Sequence, residues 1–137
     1  MEADAPIGVF DSGLGGVSVL RELRLALPHE NFIYLADSRH CPYGGREVGL
    51  VQRYSQAMAE ALLGRGVKLV TVACNTATVN AIDMLRQRYE VPFVGMEPAV
   101  KPAADVTRSG VVGVLSTRAT ADGARVQQLI ERYAHGA

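Results

Sequence analysis

Hydrophobic residues along this chain fall into two alternating kinds of segment. Short runs rich in β-branched and aromatic residues are separated by longer stretches whose apolar positions recur every three or four residues, and glycine or proline marks most of the changes. The first run, 7–10, ends at Asp11-Ser12-Gly13. A helix is predicted over 17–27, stopped at Pro28 because proline lacks a donor and disfavours helical geometry in the residue before it. Residues 31–36 predict a second strand, leading into a polar loop over 37–45 that contains Pro42-Tyr43-Gly44. Val51, Tyr54, Met58 and Leu62 then predict an amphipathic helix over 46–63, closed by Gly64 or Gly66. The near-continuous apolar run 68–73 has the pattern of a strand buried on both faces, and it ends at Cys74-Asn75-Thr76. Val79, Ile82, Leu85 and Tyr89 mark the next helix, with Asn75 or Thr76 as its cap. A fourth strand is predicted over 92–96, leading to Glu97-Pro98, and after a weaker helical stretch a fifth over 111–115, ending at Ser116-Thr117. Val126, Leu129, Ile130 and Tyr133 give a last helix its apolar stripe.

This alternation predicts an α/β fold, a parallel sheet of βα units in a Rossmann- or flavodoxin-like lobe. With 48% of its 137 residues hydrophobic, the chain is no disordered segment, and it is long enough to bury a core without disulfide or metal staples. Its 14 basic and 14 acidic residues are scattered, so no electrostatic footprint for nucleic acid is present. No apolar run approaches the roughly 20 residues of a membrane span, and acids stand where a secretory leader carries bases, so neither a membrane partner nor export is expected. Cys41 and Cys74 show no paired spacing, which predicts reduced thiols and a cytoplasmic protein.

Ligands of an open parallel sheet bind beyond the carboxyl ends of its strands, where loops open toward helix N-termini with unpaired N–H groups. The residues at those ends are Asp11-Ser12-Gly13, Pro42-Tyr43-Gly44, Cys74-Asn75-Thr76, Glu97, and Thr117 with Thr120. Cys74 stands out. Between a buried strand and a helix start, the helix dipole and free amides favour a thiolate, the form in which cysteine is a base or nucleophile. The plain alternative is a small buried apolar residue, but a packing cysteine has no need of the amide of Asn75 and the hydroxyl of Thr76 beside it. Asp11 and Ser12 read equally as a cap for the first helix or as part of a site. Gly13-Leu14-Gly15-Gly16 matches no phosphate-loop pattern, and Cys41 reads as incidental. His29, His40 and His135 are too dispersed for a zinc site or a cysteine–histidine dyad, and neither Lys68 nor Lys101 sits beside a phosphate site that would hold pyridoxal phosphate. No metal or cofactor is implied.

Six segments together carry a resemblance. Phe10-Asp11-Ser12-Gly13-Leu14-Gly15-Gly16, Tyr34-Leu35-Ala36-Asp37-Ser38, Pro42-Tyr43-Gly44, Ala73-Cys74-Asn75-Thr76-Ala77, residues 95–102 and residues 113–120 occur in the order found in the cofactor-independent glutamate racemases, which the sequence resembles. The resemblance implies interconversion of L- and D-glutamate for peptidoglycan, by removal of the α-proton on one face and return of a proton on the other. It implies Cys74 as one of two bases and Asp11 as its assistant. Ser12, Pro42, Tyr43, Gly44, Asn75 and Thr76 would hold the substrate, with Thr117 and Thr120 contributed by a second, similar lobe. The family's second cysteine, in a Gly-Cys-Thr-His motif, has no counterpart in these residues. Residues 1–96 are therefore expected to form the first lobe and 97–137 the opening strand and helix of an incomplete second one, as in a partial chain. Apolar surface left uncovered by a missing half would promote association, so a homo-oligomer is among the expected forms. The missing cysteine leaves two other readings open: a one-cysteine relative such as a decarboxylase of malonate-like acids, and a non-catalytic fragment that binds a carboxylate ligand or a partner chain.

Overall fold

The computed structural model describes residues 4–134. Its centre is a four-stranded parallel sheet made of β1 (Ile7–Asp11), β2 (Phe32–Ala36), β3 (Leu69–Val72) and β4 (Phe93–Gly95), in the order β2-β1-β3-β4. Helices α1 (Gly16–Ala26), α2 (Val48–Leu63) and α3 (Asn75–Arg88) connect them. The expected α/β class and parallel sheet are what forms, and this strand order begins as the flavodoxin-like order does. The first connection runs to one side of β1 and the later ones to the other, so right-handed crossovers place α1 on one face and α2 with α3 on the opposite face.

Alternation along the strands sorts the core accordingly. Phe10, Val70, Val72 and Phe93 point toward α2 and α3, where they bury Leu62, Ala77, Ala81, Ile82 and Leu85. On the α1 face Val9 and Thr71 are buried, whereas Val94 on the edge strand is 46% exposed because α1 does not reach across β4. The apolar residues of α1 are correspondingly only partly covered, Val19, Leu20 and Leu23 being half-buried, Val17 and Leu25 exposed, and Gly16 alone fully buried. Pro28 ends α1 as predicted, and Gly66 at φ +73° turns the chain after α2. Among the described residues no helix is long and apolar enough to cross a membrane.

Two expectations fail. The cap of α3 is Cys74 itself, whose Sγ accepts from the Ala77 N–H at 3.4 Å, in place of Asn75 or Thr76. Residues 111–115 form no strand. Val111 and Leu115 are 76% and 103% exposed, and among the described residues no strand lies beside them to supply ladder bonds, so high β propensity alone does not produce a strand. Beyond β4 the regular elements are helical: α4 (Val100–Val106), a short α5 (Arg118–Ala121) absent from the sequence reading, and α6 (Ala124–Tyr133). Only Val126 of the expected α6 stripe is buried. The Arg125 guanidinium holds α6 to the sheet, donating to the Asp83 carboxylate of α3 at 3.0 and 3.2 Å and to Glu97 after β4.

Candidate active site

β1 and β3 are neighbours whose connections leave in opposite directions, so a crevice opens between their carboxyl ends. Asp11, Ser12, Cys74, Asn75, Thr76, Thr117 and Thr120 all line one cleft there, of about 540 Å³, together with Glu97 and the start of α1. Of the residues selected from the sequence, Pro42, Tyr43 and Gly44 are not in that lining.

Asp11 ends β1 and is buried, and its Oδ2 accepts from the N–H groups of Gly16 at 2.9 Å and Gly13 at 3.3 Å. It thus satisfies the start of α1 from outside the helix, the capping role foreseen as one of its two readings. The close approach requires glycine at 16: a Cβ there would stand 2.7 Å from the Asp11 Cβ. Tyr34 of β2 donates its hydroxyl to the Gly13 carbonyl at 2.8 Å, fixing the turn from the far side.

The Cys74 thiol is 7% exposed and donates to Ser12 Oγ at 3.5 Å. Burial pushes it above the ordinary thiol range, and the Asp11 carboxylate acts in the same direction. The Ser12 hydroxyl and the Ala77 N–H oppose this without cancelling it. The expectation of a ready thiolate is therefore corrected. The helix start is there, but desolvation outweighs it, and a cation entering the cleft is what would lower the thiol.

In the same cleft, the hydroxyls of Thr76, Thr117 and Thr120 form a triangle, with Oγ1 separations of 3.0, 3.1 and 3.0 Å. Each can donate to one neighbour and accept from another, and any of them can turn toward an acceptor in the cleft. Thr76 and Thr120 are buried. Asn75 is exposed, beside the N-terminus of α3, where free N–H groups favour an anion.

The segment 41–44 lies to one side. Tyr43 is buried, its hydroxyl donating to Asp37 Oδ2 at 2.8 Å, and burial with that bond to a carboxylate pushes the phenol far above its usual range. Gly44 packs on Thr117, and a Cβ there would come within 2.5 Å of Thr117 Cγ2. Cys41 is exposed. Asp37 and His40 do not emerge from the sequence as site residues, although the rule that selects residues after strands points to Asp37, the residue after β2. Among the described residues no group of three or more histidines, cysteines or acids lies together as a metal site, and His135 is outside them.

The family model "Asp/Glu/Hydantoin racemase" matches residues 7–137. A glutamate racemase of Herpetosiphon aurantiacus is 56% identical over 131 residues, covering 96% of this chain and 52% of its own length. One of Ectopseudomonas mendocina is 52% identical over 134 residues, covering 97% and 51%. Among solved structures, Escherichia coli glutamate racemase in complex with L-glutamate and the activator UDP-MurNAc-Ala superposes with a TM-score of 0.90 at 38% identity, over 97% of this chain and 51% of that one. The Thermus thermophilus glutamate racemase with β-chloro-D-alanine gives 0.74 at 39% identity, over 100% and 51%. The chain spans about half the length of the relatives it matches. With the family model covering nearly every residue and the relatives' fold reproduced over almost the whole chain, the chain belongs to the Asp/Glu/hydantoin racemase family.

Proposed function

We propose that the chain forms the first half of a glutamate racemase site, with Cys74 as the acid/base for one face of the substrate's α-carbon. The observation that carries this reading is the Cys74 thiol at the β1–β3 crevice, within reach of Ser12 and facing a cleft of hydroxyl and amide groups. Glutamate's ammonium group supplies the cation that favours the thiolate, and Asp11, on the same side, is placed to assist. The Cys74 thiol gives up its own proton to solvent as the ammonium group enters; the thiolate then takes the α-proton as an S–H bond forms, and the C–H electron pair stays on the carbon, delocalised into the adjacent carboxylate. Preorganised donors from Asn75, Thr76 and the start of α3 stabilise that charge, with Thr117 and Thr120 closing the wall. Ser12 completes the wall beside Cys74, and Gly44 packs behind Thr117. No cofactor is called for, because the donors supply the electrostatics.

Inversion requires an acid on the opposite face. Among the described residues the cleft contains one thiol, since Cys41 is not in its lining. The second acid belongs, in this reading, to a second lobe that residues 97–137 begin, after a first lobe over 1–96. The enzyme is cytoplasmic and its D-glutamate serves peptidoglycan. The single thiol favours a one-base reaction for these 137 residues alone. In deuterated water they are expected to exchange the α-hydrogen of one glutamate enantiomer without inverting it, and Cys74→Ala abolishes the exchange. Exchange that survives in Cys74→Ala, or the absence of any glutamate binding, overturns the assignment.

A further inference from the structure

The segment from Asp37 to Gly44 contains a buried side-chain cluster to which the reaction above gives no role. Asp37 is 8% exposed, and its N–H donates to the Asp11 carbonyl at 2.9 Å. A buried carboxylate needs donors to offset its lost hydration. Two aromatic residues supply them, His40 through Nδ1 at 2.8 and 2.9 Å to the two oxygens, and Tyr43 through its hydroxyl at 2.8 Å. The His40 ring lies flat on Tyr54 of α2, with centroids 4.0 Å apart and planes 11° from parallel, and Tyr43 tilts onto the same ring at 5.8 Å. The loop is thereby fixed at both ends to rigid elements, the end of β2 and the middle of α2.

That loop packs behind the cleft at two points. The Cys41 sulfur packs on Gly13, where a Cβ would stand only 3.0 Å from it, and Gly44 packs on Thr117, with 2.5 and 2.8 Å from a Cβ to Cγ2 and Cβ. Gly13 continues the Asp11-Ser12 turn, and Thr117 belongs to the hydroxyl triangle.

We propose that His40 is a positioning residue for the candidate site: by donating to Asp37 it sets the loop that spaces the Asp11–Gly13 turn from Thr117. It touches no substrate and acts through the loop. The role rests on the glutamate reading above, because it concerns the width of that cleft. Displacements of an ångström at such distances cost large factors in affinity and rate.

The test uses the 137-residue protein, isotope-labelled, with two variants. His40→Phe keeps a flat ring for Tyr54 and removes the donor to Asp37, and His40→Asn restores a donor without the ring. In His40→Phe the amide resonances of Gly13, Gly44 and Thr117 are expected to move, and L-glutamate affinity to fall by about tenfold while the melting temperature falls by no more than about 5 °C, leaving the protein folded at the temperature of the titration. In His40→Asn both return toward the parent. The proposal is overturned if His40→Phe leaves those resonances and the affinity within about twofold of the parent, or if affinity falls only in step with global stability, with no recovery in His40→Asn. If the parent protein binds no glutamate, the functional reading fails, and the spacing role is then decided by the resonances of the two variants alone.

Discussion

Replacing Tyr43 by phenylalanine deletes one oxygen from the core and should have a stability effect whose size depends on pH. The lost bond, Tyr43 Oη to Asp37 Oδ2 at 2.8 Å, joins a buried donor to a carboxylate. Bonds to charged groups contribute about 1.5–3 kcal/mol net. Asp37 keeps its two contacts with His40, and the Tyr43→Phe variant buries the same ring without a phenol to desolvate, so the low end applies, about 1.5 kcal/mol at pH 8. For a domain of this length that lowers the melting temperature by about 5 °C. The sign of the pH effect comes from the raised phenol. In the fold Tyr43 stays protonated well above the usual phenol value, whereas in the unfolded chain it ionises near pH 10. The stabilisation is complete below that value and is lost as pH rises beyond it, because ionisation favours the unfolded chain. The parent therefore loses up to about 1.4 kcal/mol per pH unit above 10 that the variant does not. Denaturant titrations of both proteins at pH 8 and pH 10.5 measure the difference, which should shrink at the higher pH. A pH-independent difference, or a variant more stable than the parent at pH 8, refutes the account.

Three further outcomes are expected. Cys41 should react with iodoacetamide well before Cys74 at pH 8, because burial raises the Cys74 thiol, and peptide mass spectrometry at increasing pH should show Cys74 modification only above the ordinary thiol range. Ser55→Ala should stabilise the fold by about 1 kcal/mol in a urea titration, since Ser55 Oγ in α2 is fully buried with no hydrogen-bond partner among the described residues. Gly95→Ala should destabilise it by about 1–3 kcal/mol in the same measurement: a Cβ there would lie 2.5 Å from Thr78 Cγ2 and 2.8 Å from Ile82 Cδ1, forcing β4 from α3 and straining the Met96 N–H to Thr78 Oγ1 bond.

The strands and helices up to residue 95 are legible in the chain because each carries its own period and its own stop, as at Pro28 and the glycines after α2. The parallel sheet is implied by the alternation of strand and helix, and crossover handedness then sorts the helices between its faces. Residues 111–115 show the limit. Their composition is that of a strand, yet a strand exists only where another lies beside it, and that is tertiary information. The candidate site divides in the same way. Strand ends locate Asp11, Ser12, Cys74, Asn75 and Thr76, whereas Thr117 and Thr120 are selected at the end of a strand that does not form and line the cleft from the start of α5 instead. The inward turn of Tyr43 toward Asp37 is not readable, since a tyrosine in a polar loop carries no sign of where its hydroxyl points. Nor is the state of the Cys74 thiol, because a helix start is visible in a sequence and the depth of burial is not.

The exposed run Val111 to Leu115 has a practical consequence for handling the protein. It is a short, uncharged, β-prone stretch outside the sheet, its backbone tied by Thr107 and Ser109 at Val111, and such a stretch is the kind on which polypeptides stack into aggregates when concentrated. Arg108 and Arg118 flank it as the nearest charges, and their mutual repulsion between neighbouring copies weakens with added salt. Shelf life in storage buffer should therefore be shortest at high ionic strength, and a single lysine placed at position 113 or 114 is the change that would extend it.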